Sequence, residues 1–419
     1  MSLIAELTEA LGPGAVLSGD DVPDRAMSDA SETGQHRPMV LLRPATTDEV
    51  SAALAICWRH KQSVVPQGGM TGLSGGANPS PGDVALSLDR LAGIEEIDVE
   101  AGTISLRAGT VLQVAQQAAA AAGFLLPIDL GARGSCQIGG IIANNAGGLR
   151  VIRHGMTRDN LLGLEVVLAN GSIVSSLGKL VKNNTGYNLP QLFAGSEGTL
   201  GIVTRAVLRL RPLPTARATA LCALADFAAV IDLLKLARSK LAGLSALEVM
   251  WQDYFALLQQ VEGLQLFSPA PALVVILETE SVNGLDQTEE FQEFLASALE
   301  AGILTDALIA QSEKDAAAFW AVREGHKLMH VMPHLINLDV GLNIGQIGQF
   351  VETCRSALQQ VFPQIRVLFS AMSVTETLTS LRTSRILDGL IRRMRCTGSS
   401  MIWFANAAGQ FQPSTALAR

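Results

Sequence analysis

The feature that most restricts how this chain can fold is a series of glycine-rich stretches between residues 66 and 201, set among aliphatic rather than polar residues. Glycine gives up much backbone entropy on folding. Its repeated use inside a folded unit means that the backbone takes unusual angles there or approaches something closely. The first stretch, PQGGMTGLSGGANP (66–79), places Gly68, Gly69, Gly72, Gly75 and Gly76 directly after the β-rich run SVVPQGG (63–69). Consecutive backbone N–H groups in such a loop can converge on one cavity, an arrangement that binds phosphate. It is not the GxGxxG dinucleotide fingerprint, because no ribose-binding acid follows in a βαβ context. Taken alone, the stretch reads first as a flexible glycine loop.

The second stretch, DLGARGSCQIGGIIANNAGGLRVIRHGMTRDNLLGLEVVLANG (129–171), mixes glycine with Ile, Leu and Val and with Asn144 and Asn145. A linker would be polar throughout. This mixture instead predicts tight turns around a large planar or apolar ligand, with amides reading its polar edge. LEVVLANGSIVSS (164–176) predicts a hairpin closing at Asn170-Gly171. Beyond it comes KNNTGYNLPQLFAGSEGTLGIVT (182–204), with Lys182, Tyr187 and the GSEGTLG run at 195–201.

Around these stretches the pattern is α+β. Strands are predicted at 38–44, 63–69, 82–89 and 102–109, a capped amphipathic helix at 46–60, and an Ala-rich helix at 110–123 stopped by Gly123. TLGIVTRAVLRLRP (199–212) is a β-rich closing segment, and Pro212 and Pro214 mark a boundary. A second α+β domain follows over 215–369, with helices at 226–242, near 286–301 and at 346–361, and a buried strand at 272–280. Residues 370–419 differ in character: six Arg, no Lys, two acidic residues and no convincing period. The expected domains are therefore 1–214, 215–369 and an atypical tail.

Composition narrows the function. A net charge of −8 leaves no basic face for nucleic acid. With 48% hydrophobic and 17% charged residues the chain suits packed domains rather than disorder. No apolar run is long enough to span a bilayer. The acidic, amphipathic N-terminus lacks signal-peptide character. Five widely spaced Cys form no disulfide ladder and no CxxC pair, which fits a reducing cytoplasm, at most peripheral to the inner face of the membrane.

Together the patterns PxGGxTGLSGGAxP, DLGARGSCxIGGxIAxNAGGxRVxRxGxTRDNxLGLEVVLAxG and LxKNNTGYxLxxLFxGSEGTLGxVT resemble the FAD-linked D-2-hydroxyacid dehydrogenases of the vanillyl-alcohol oxidase flavoprotein family, of the D-lactate dehydrogenase and glycolate oxidase D subunit type. The resemblance covers roughly residues 38 to 369. It implies a two-subdomain FAD-binding domain followed by an α+β substrate domain, and non-covalent FAD, since no His or Cys stands where relatives attach flavin. It also implies that Pro66, Gly68, Gly69, Thr71, Gly72, Leu73, Ser74, Gly75 and Gly76 cradle the pyrophosphate. Asp129, Gly131, Gly134, Ser135, Cys136, Ile138, Gly139, Gly140, Ala143, Asn145, Gly147 and Gly148 would run past pyrophosphate and isoalloxazine. Glu197 would join them, with Gly201, Ile202 and Val203 on the adenine side. Two departures stand out. Gln67 stands where the family often has Arg, and Met70 stands where Gly is usual and adds bulk beside the phosphates. Cys136 also reads as a small buried thiol in a tight turn.

On the substrate side, Trp320-Ala-Val-Arg323-Glu324 is similar to the family's W-x-x-R-E pattern, whose Arg meets the substrate carboxylate through two parallel N–H bonds. The competing reading is a surface Arg on an exposed helix face. Lys327 is a second candidate on the same segment. Asn337 stands where relatives acting on dicarboxylates carry Lys, which points away from 2-hydroxyglutarate and towards lactate or glycolate. His326, His330 and His334, at i, i+4 and i+8, would share a helix side if the helix lasted to Pro333, and read as solvent-facing rather than metal-binding. The expected chemistry is hydride transfer from C2 of a D-2-hydroxy acid to flavin N5 while a base takes the hydroxyl proton. Electrons would pass to a quinone, a cytochrome or a partner flavin or Fe–S subunit rather than to NAD. Catalytically impaired FAD-binding remnant and flavin subunit of an electron-transfer complex are the alternatives.

The family also uses a divalent metal held by a G-H-x-G-D-G-N-x-H stretch and a later Glu-His-Gly run. This chain has neither, and its six His all precede residue 335. The metal stretch should start at Ser370, where the chain reads S-A-M-S-V-T-E-T. Codons TCG GCC ATG TCG GTG ACG GAA ACC, permitted for those residues, read from the third base as Gly-His-Val-Gly-Asp-Gly-Asn. The expectation is a change of reading frame near Phe369–Ser370, with the family's metal site lost from 370–419.

Overall fold

The computed structural model describes residues 1–31, 33–282, 288–332, 336–361, 363, 366–372, 377–383, 402–405 and 411–414. The chain divides into two compact units. One is built on Met1–Ala216, the other on Arg217–Glu280 and the described residues that follow 285.

The first unit holds two sheets. Val16–Ser18 pairs antiparallel with Val40–Leu42, and Val84–Ser87 and Val64–Gln67 continue that sheet in parallel. The helix Thr47–Arg59 connects the two parallel strands Val40–Leu42 and Val64–Gln67. Thr46 Oγ1 accepts from Glu49 N at 3.1 Å, while the Glu49 carboxylate accepts from Ala45 N at 2.7 Å, so the helix start satisfies its own free donors. The second sheet is antiparallel in the order Ile94–Asp98, Thr103–Arg107, Ile202–Arg209, Leu161–Val167, Ile173–Ser176. Its last pair is the hairpin expected at Asn170-Gly171, with Gly171 at φ +87°. Both sheets feed one apolar cluster, which joins Leu42 and Leu86 of the first to Ile104, Leu106, Leu164 and Leu208 of the second. The glycine stretches are loops and short helices leaving these strands, so the shared core fixes where they meet.

The second unit is a seven-stranded sheet in the order Asp306–Ile309, Ala216–Leu224, Leu273–Ser281, Leu244–Trp251, Val367–Met372, Thr377–Thr383, Ile336–Gly341. Leu244–Trp251 and Leu273–Ser281 are buried at every position, as central strands covered on both faces must be. Helices Phe227–Lys240 and Thr288–Glu300 pack on each other, as do Gln252–Val261 and Glu313–Glu324.

Three differences from the sequence reading emerge. The region expected to be turns contains the short helices Ile138–Ala143, Val151–His154 and Thr157–Asn160. The His326–His334 stretch is not one helix: Glu313–Glu324 ends at Gly325 in the left-handed conformation, and a separate turn covers Leu328–Val331, because the Gly325 N–H closes the preceding helix on Ala321. His334 lies outside the described residues. Finally, Val367–Met372 runs as one strand through the Phe369–Ser370 point. Ser370, Ala371 and Met372 pair with Met250, Val249 and Glu248, and Ser370 and Ala371 are buried. Of the remaining tail, Thr377–Thr383 joins the sheet and Ile402–Ala405 pairs with Phe411–Ser414; the rest lies outside the described residues.

Candidate functional site

The three glycine stretches converge on one cavity of about 400 Å³ in the first unit. From the first come Pro66, Gly68, Gly69, Thr71, Gly72, Leu73, Ser74 and Gly76. The second contributes Cys136, Gly139, Gly140 and Ala143, and the third Glu197, Gly201, Ile202 and Val203. Several of these positions exclude a side chain for different reasons. A Cβ on Gly69 would sit 2.0 Å from the Ser135 carbonyl oxygen, so this glycine lets two backbones touch. A Cβ on Gly76 or Gly140 would meet no protein atom within 4 Å and would take up space in the cleft itself.

The other residues expected on this wall lie behind or beside it. Gly75, at φ +79°, turns towards Thr33. Ile138 is wholly buried in the core. Gly148 closes on the Asp129 carbonyl, and Gly147 on Met156. Asp129 accepts from Arg133 Nε and Arg150 Nη1, each at 2.7 Å. Asn145 Oδ1 accepts from Arg158 N at 2.9 Å. Gly131, Gly134 and Ser135 are likewise absent from the lining, Ser135 being the backbone that Gly69 abuts. Much of the glycine signal thus reports backbone-on-backbone packing that shapes the wall rather than direct ligand approach.

Asp29, Leu130 and Gln137, which the sequence reading did not assign, complete the lining beside Gln67, Met70 and Asn144 of the glycine stretches. Gln67 is buried, and its Nε2 donates to the Ala26 and Ala77 carbonyls at 2.9 and 3.0 Å, tying the N-terminal segment to the end of the glycine loop. Met70 (φ +55°), Asn145 (φ +45°) and Glu197 (φ +52°) are non-glycine residues in left-handed backbone at or beside the cleft, where strain of this kind concentrates. Cys136 is a buried thiol pushed up to about 11 by burial, so it stays protonated and is a poor nucleophile. The open glycine positions, together with the buried acceptors Asp29 Oδ2 and Gln137 Oε1 that lack a partner among the described residues, fit a large ligand carrying both anionic and donor groups.

In the second unit, Arg323 is buried rather than on an exposed face. Its Nη2 donates to Glu248 Oε2 at 2.5 Å, and Tyr254 Oη donates to the Arg323 carbonyl at 2.8 Å. Burial works against the Arg323 charge, but Glu248 and Tyr254 hold it above its ordinary range. Burial pushes the Glu248 carboxyl up to about 7, against the pull of the guanidinium. Arg323 Nε is buried with no partner among the described residues. One turn earlier, Trp320 Nε1 donates to Glu278 Oε2 at 2.9 Å, and Glu278 also accepts from Ser245 Oγ at 3.1 Å and Thr219 Oγ1 at 3.3 Å. Both aromatic and arginine of the W-x-x-R-E pattern are therefore anchored to buried carboxylates. The lone acid in the apolar strand LSALEVMW was the available signal for Glu248. Lys327 is exposed and donates to Glu262 Oε2 at 2.6 Å, which accounts for it without a substrate. His326 pairs with Glu324 at 2.7 Å, and no group of three metal-capable side chains occurs among the described residues.

Comparison with known proteins agrees with this layout. Residues 38–176 match the family described as FAD binding domain, and 213–373 the family described as FAD linked oxidases, C-terminal domain. The mitochondrial D-2-hydroxyglutarate dehydrogenase of Bos taurus is 37% identical over 330 residues, covering 74% of this chain and 61% of that protein. The D-2-hydroxyglutarate dehydrogenase of Xanthomonas citri pv. viticola is 36% identical over 339 residues, covering 79% of this chain and 70% of that one. The chain spans 61%, 64% and 66% of the length of the bovine, Arabidopsis thaliana and Danio rerio relatives. A solved structure of an alkyldihydroxyacetonephosphate synthase, 15% identical, superposes with a TM-score of 0.74 over 94% of this chain and 78% of that one, which is a likeness of fold. No described helix is long and apolar enough to cross a membrane. The motifs, the two matched domains and the Xanthomonas relative place the chain in the family of FAD-linked D-2-hydroxyacid dehydrogenases, with the FAD-binding fold of the vanillyl-alcohol oxidase type.

Proposed function

We propose that this protein oxidises a D-2-hydroxy acid to the 2-oxo acid, with FAD as hydride acceptor and a quinone, cytochrome or partner flavin or Fe–S subunit as the onward acceptor. The observation that carries the reading is the buried, anchored Arg323, whose Nε–H has no protein partner among the described residues. A guanidinium fixed in this way is preorganised for a carboxylate, because its planar donors are held before the ligand arrives. The names of the relatives weigh towards D-2-hydroxyglutarate and against the lactate or glycolate that Asn337 indicated. Non-covalent FAD and a location in the cytoplasm or at its membrane face belong to the same proposal, although several relatives are named as mitochondrial.

Anaerobic titration of the FAD-loaded protein with D-2-hydroxyglutarate, D-lactate and glycolate tests it. Bleaching by one of the D-acids, lost in Arg323→Ala, is the expected result. Bleaching that survives Arg323→Ala removes that residue from the site, and no bleaching by any of the three rejects the activity.

A second reading is favoured by one observation: the match to the C-terminal domain ends at residue 373, just past the point where the metal stretch is due. On this reading the frame changes near Phe369–Ser370, and the chain binds FAD while turnover is feeble. The gene sequence over codons 360–390 decides it. A one-base change there must open a frame encoding Gly-His-x-Gly-Asp-Gly-Asn and a later Glu-His-Gly run, or the idea fails.

A further inference from the structure

In a cleft whose wall is largely backbone and apolar side chains, two buried oxygens have no donor among the described residues. They are Asp29 Oδ2 and Gln137 Oε1, on residues only 5% and 6% exposed. Both side chains are held by their other ends. Asp29 Oδ1 accepts from Ser31 N at 3.0 Å and from Ser31 Oγ at 2.5 Å, and Asp29 N donates to Asn78 Oδ1 at 2.6 Å. Gln137 Nε2 donates to Asp89 Oδ1 at 2.8 Å. A carboxylate oxygen there accepts, so the amide orientation is fixed and Oε1 is the atom left over.

Both oxygens abut the first glycine loop. Asp29 Oδ2 lies 3.0 Å from where a Cβ of Gly72 would stand, and Gln137 Oε1 3.6 Å from that of Gly68. A buried acceptor without a donor costs stability, and the described protein groups offer none here. A phosphate does not answer the need, because it brings only acceptors and negative charge towards a carboxylate. FAD does carry donors: the ribityl and ribose hydroxyls, the isoalloxazine N–H and the adenine amino group.

We propose that Asp29 and Gln137 bind FAD by accepting hydrogen bonds from its hydroxyl or N–H donors, leaving the amides of the 66–79 loop for the phosphates. The assignment depends on the flavin cleft alone and stands apart from the substrate reading above.

The test is FAD affinity of the apoprotein, followed by flavin fluorescence, beside the melting temperatures of apo and FAD-loaded protein. Asp29→Asn keeps Oδ1 for Ser31 and replaces the acceptor Oδ2 by a donor. Its Kd for FAD should rise about tenfold or more while the apo melting temperature holds or rises, since a neutral unpaired amide costs less when buried than a carboxylate oxygen. Gln137→Met should weaken FAD in the same direction, independently. Kd values within twofold of the parent in both variants would overturn the assignment. So would an apo melting temperature that falls in step with affinity, or an Asp29→Asn chain that does not fold combined with unchanged affinity in Gln137→Met.

Discussion

Met70 occupies left-handed backbone at φ +55° and lines the flavin cleft, so it is strained and its side chain borders the cavity. Met70→Gly removes the Cβ conflict but adds unfolded-state entropy. The expected net gain is about 0.5–1 kcal/mol, read as a melting temperature a few degrees higher, with tighter FAD binding in the same preparation. Glu248 carries the pH dependence. Its folded-state carboxyl is pushed up to about 7 from 4.5, so folding favours the protonated form. The associated stability is present in full below pH 4.5 and is lost as pH rises through about 7. The second unit should therefore melt a few degrees lower at pH 8 than at pH 5, a slope that Glu248→Gln removes; equal slopes in the two proteins would dismiss Glu248 as the source. If Arg323 holds a substrate carboxylate, tighter binding of the acid below pH 7, where neutral Glu248 no longer offsets the guanidinium charge, should accompany the same titration. Neither Met70's angle nor Glu248's partner is written in its neighbours along the chain. Each depends on what a distant segment presses against it.

Among the elements, the six-residue helix Ile138–Ala143 separates two uses of glycine. A Cβ on Gly140 faces open cleft, so Gly140→Ala should stabilise the apoprotein by about 0.5–1 kcal/mol through helix propensity while weakening FAD. A Cβ on Gly69 would overlap the Ser135 carbonyl at 2.0 Å, and neither backbone can retreat without breaking the wall. Gly69→Ala should therefore cost about 2–3 kcal/mol and lower apo stability and FAD affinity together. Urea melts of both apoproteins beside FAD titrations check the opposite signs. Helix Thr47–Arg59 and the Asn170-Gly171 hairpin were legible because their signals are local: a capping pair and a short turn closed by a left-handed glycine. The short helices between 138 and 160 were not. The first of them, Ile138–Ala143, has a glycine-rich sequence with no helical preference, and it persists because Ile138, Ile141 and Ile142 are buried in a core built from both sheets.

For the whole molecule, the division near Ala216 and Arg217 and the confinement of the cleft to the first unit predict a divided response to ligand. Calorimetry should show two transitions. FAD at about a hundred times its Kd should raise the one belonging to the first unit by roughly 5–10 °C and leave the other in place. A single transition shifted as a whole would mean that the units unfold together. The α+β class, the family and the three stretches that form the flavin cleft were determined by the sequence alone, because glycine spacing, turn chemistry and strand patterning are properties of neighbouring residues. Tertiary structure alone decided which glycines face the ligand and which face another backbone. It also joined Arg323 to Glu248 and Tyr254, and left Asp29 and Gln137 with an oxygen each to offer. Those outcomes turn on contacts between segments tens of residues apart, and burial sets their energy only once the core has brought the segments together.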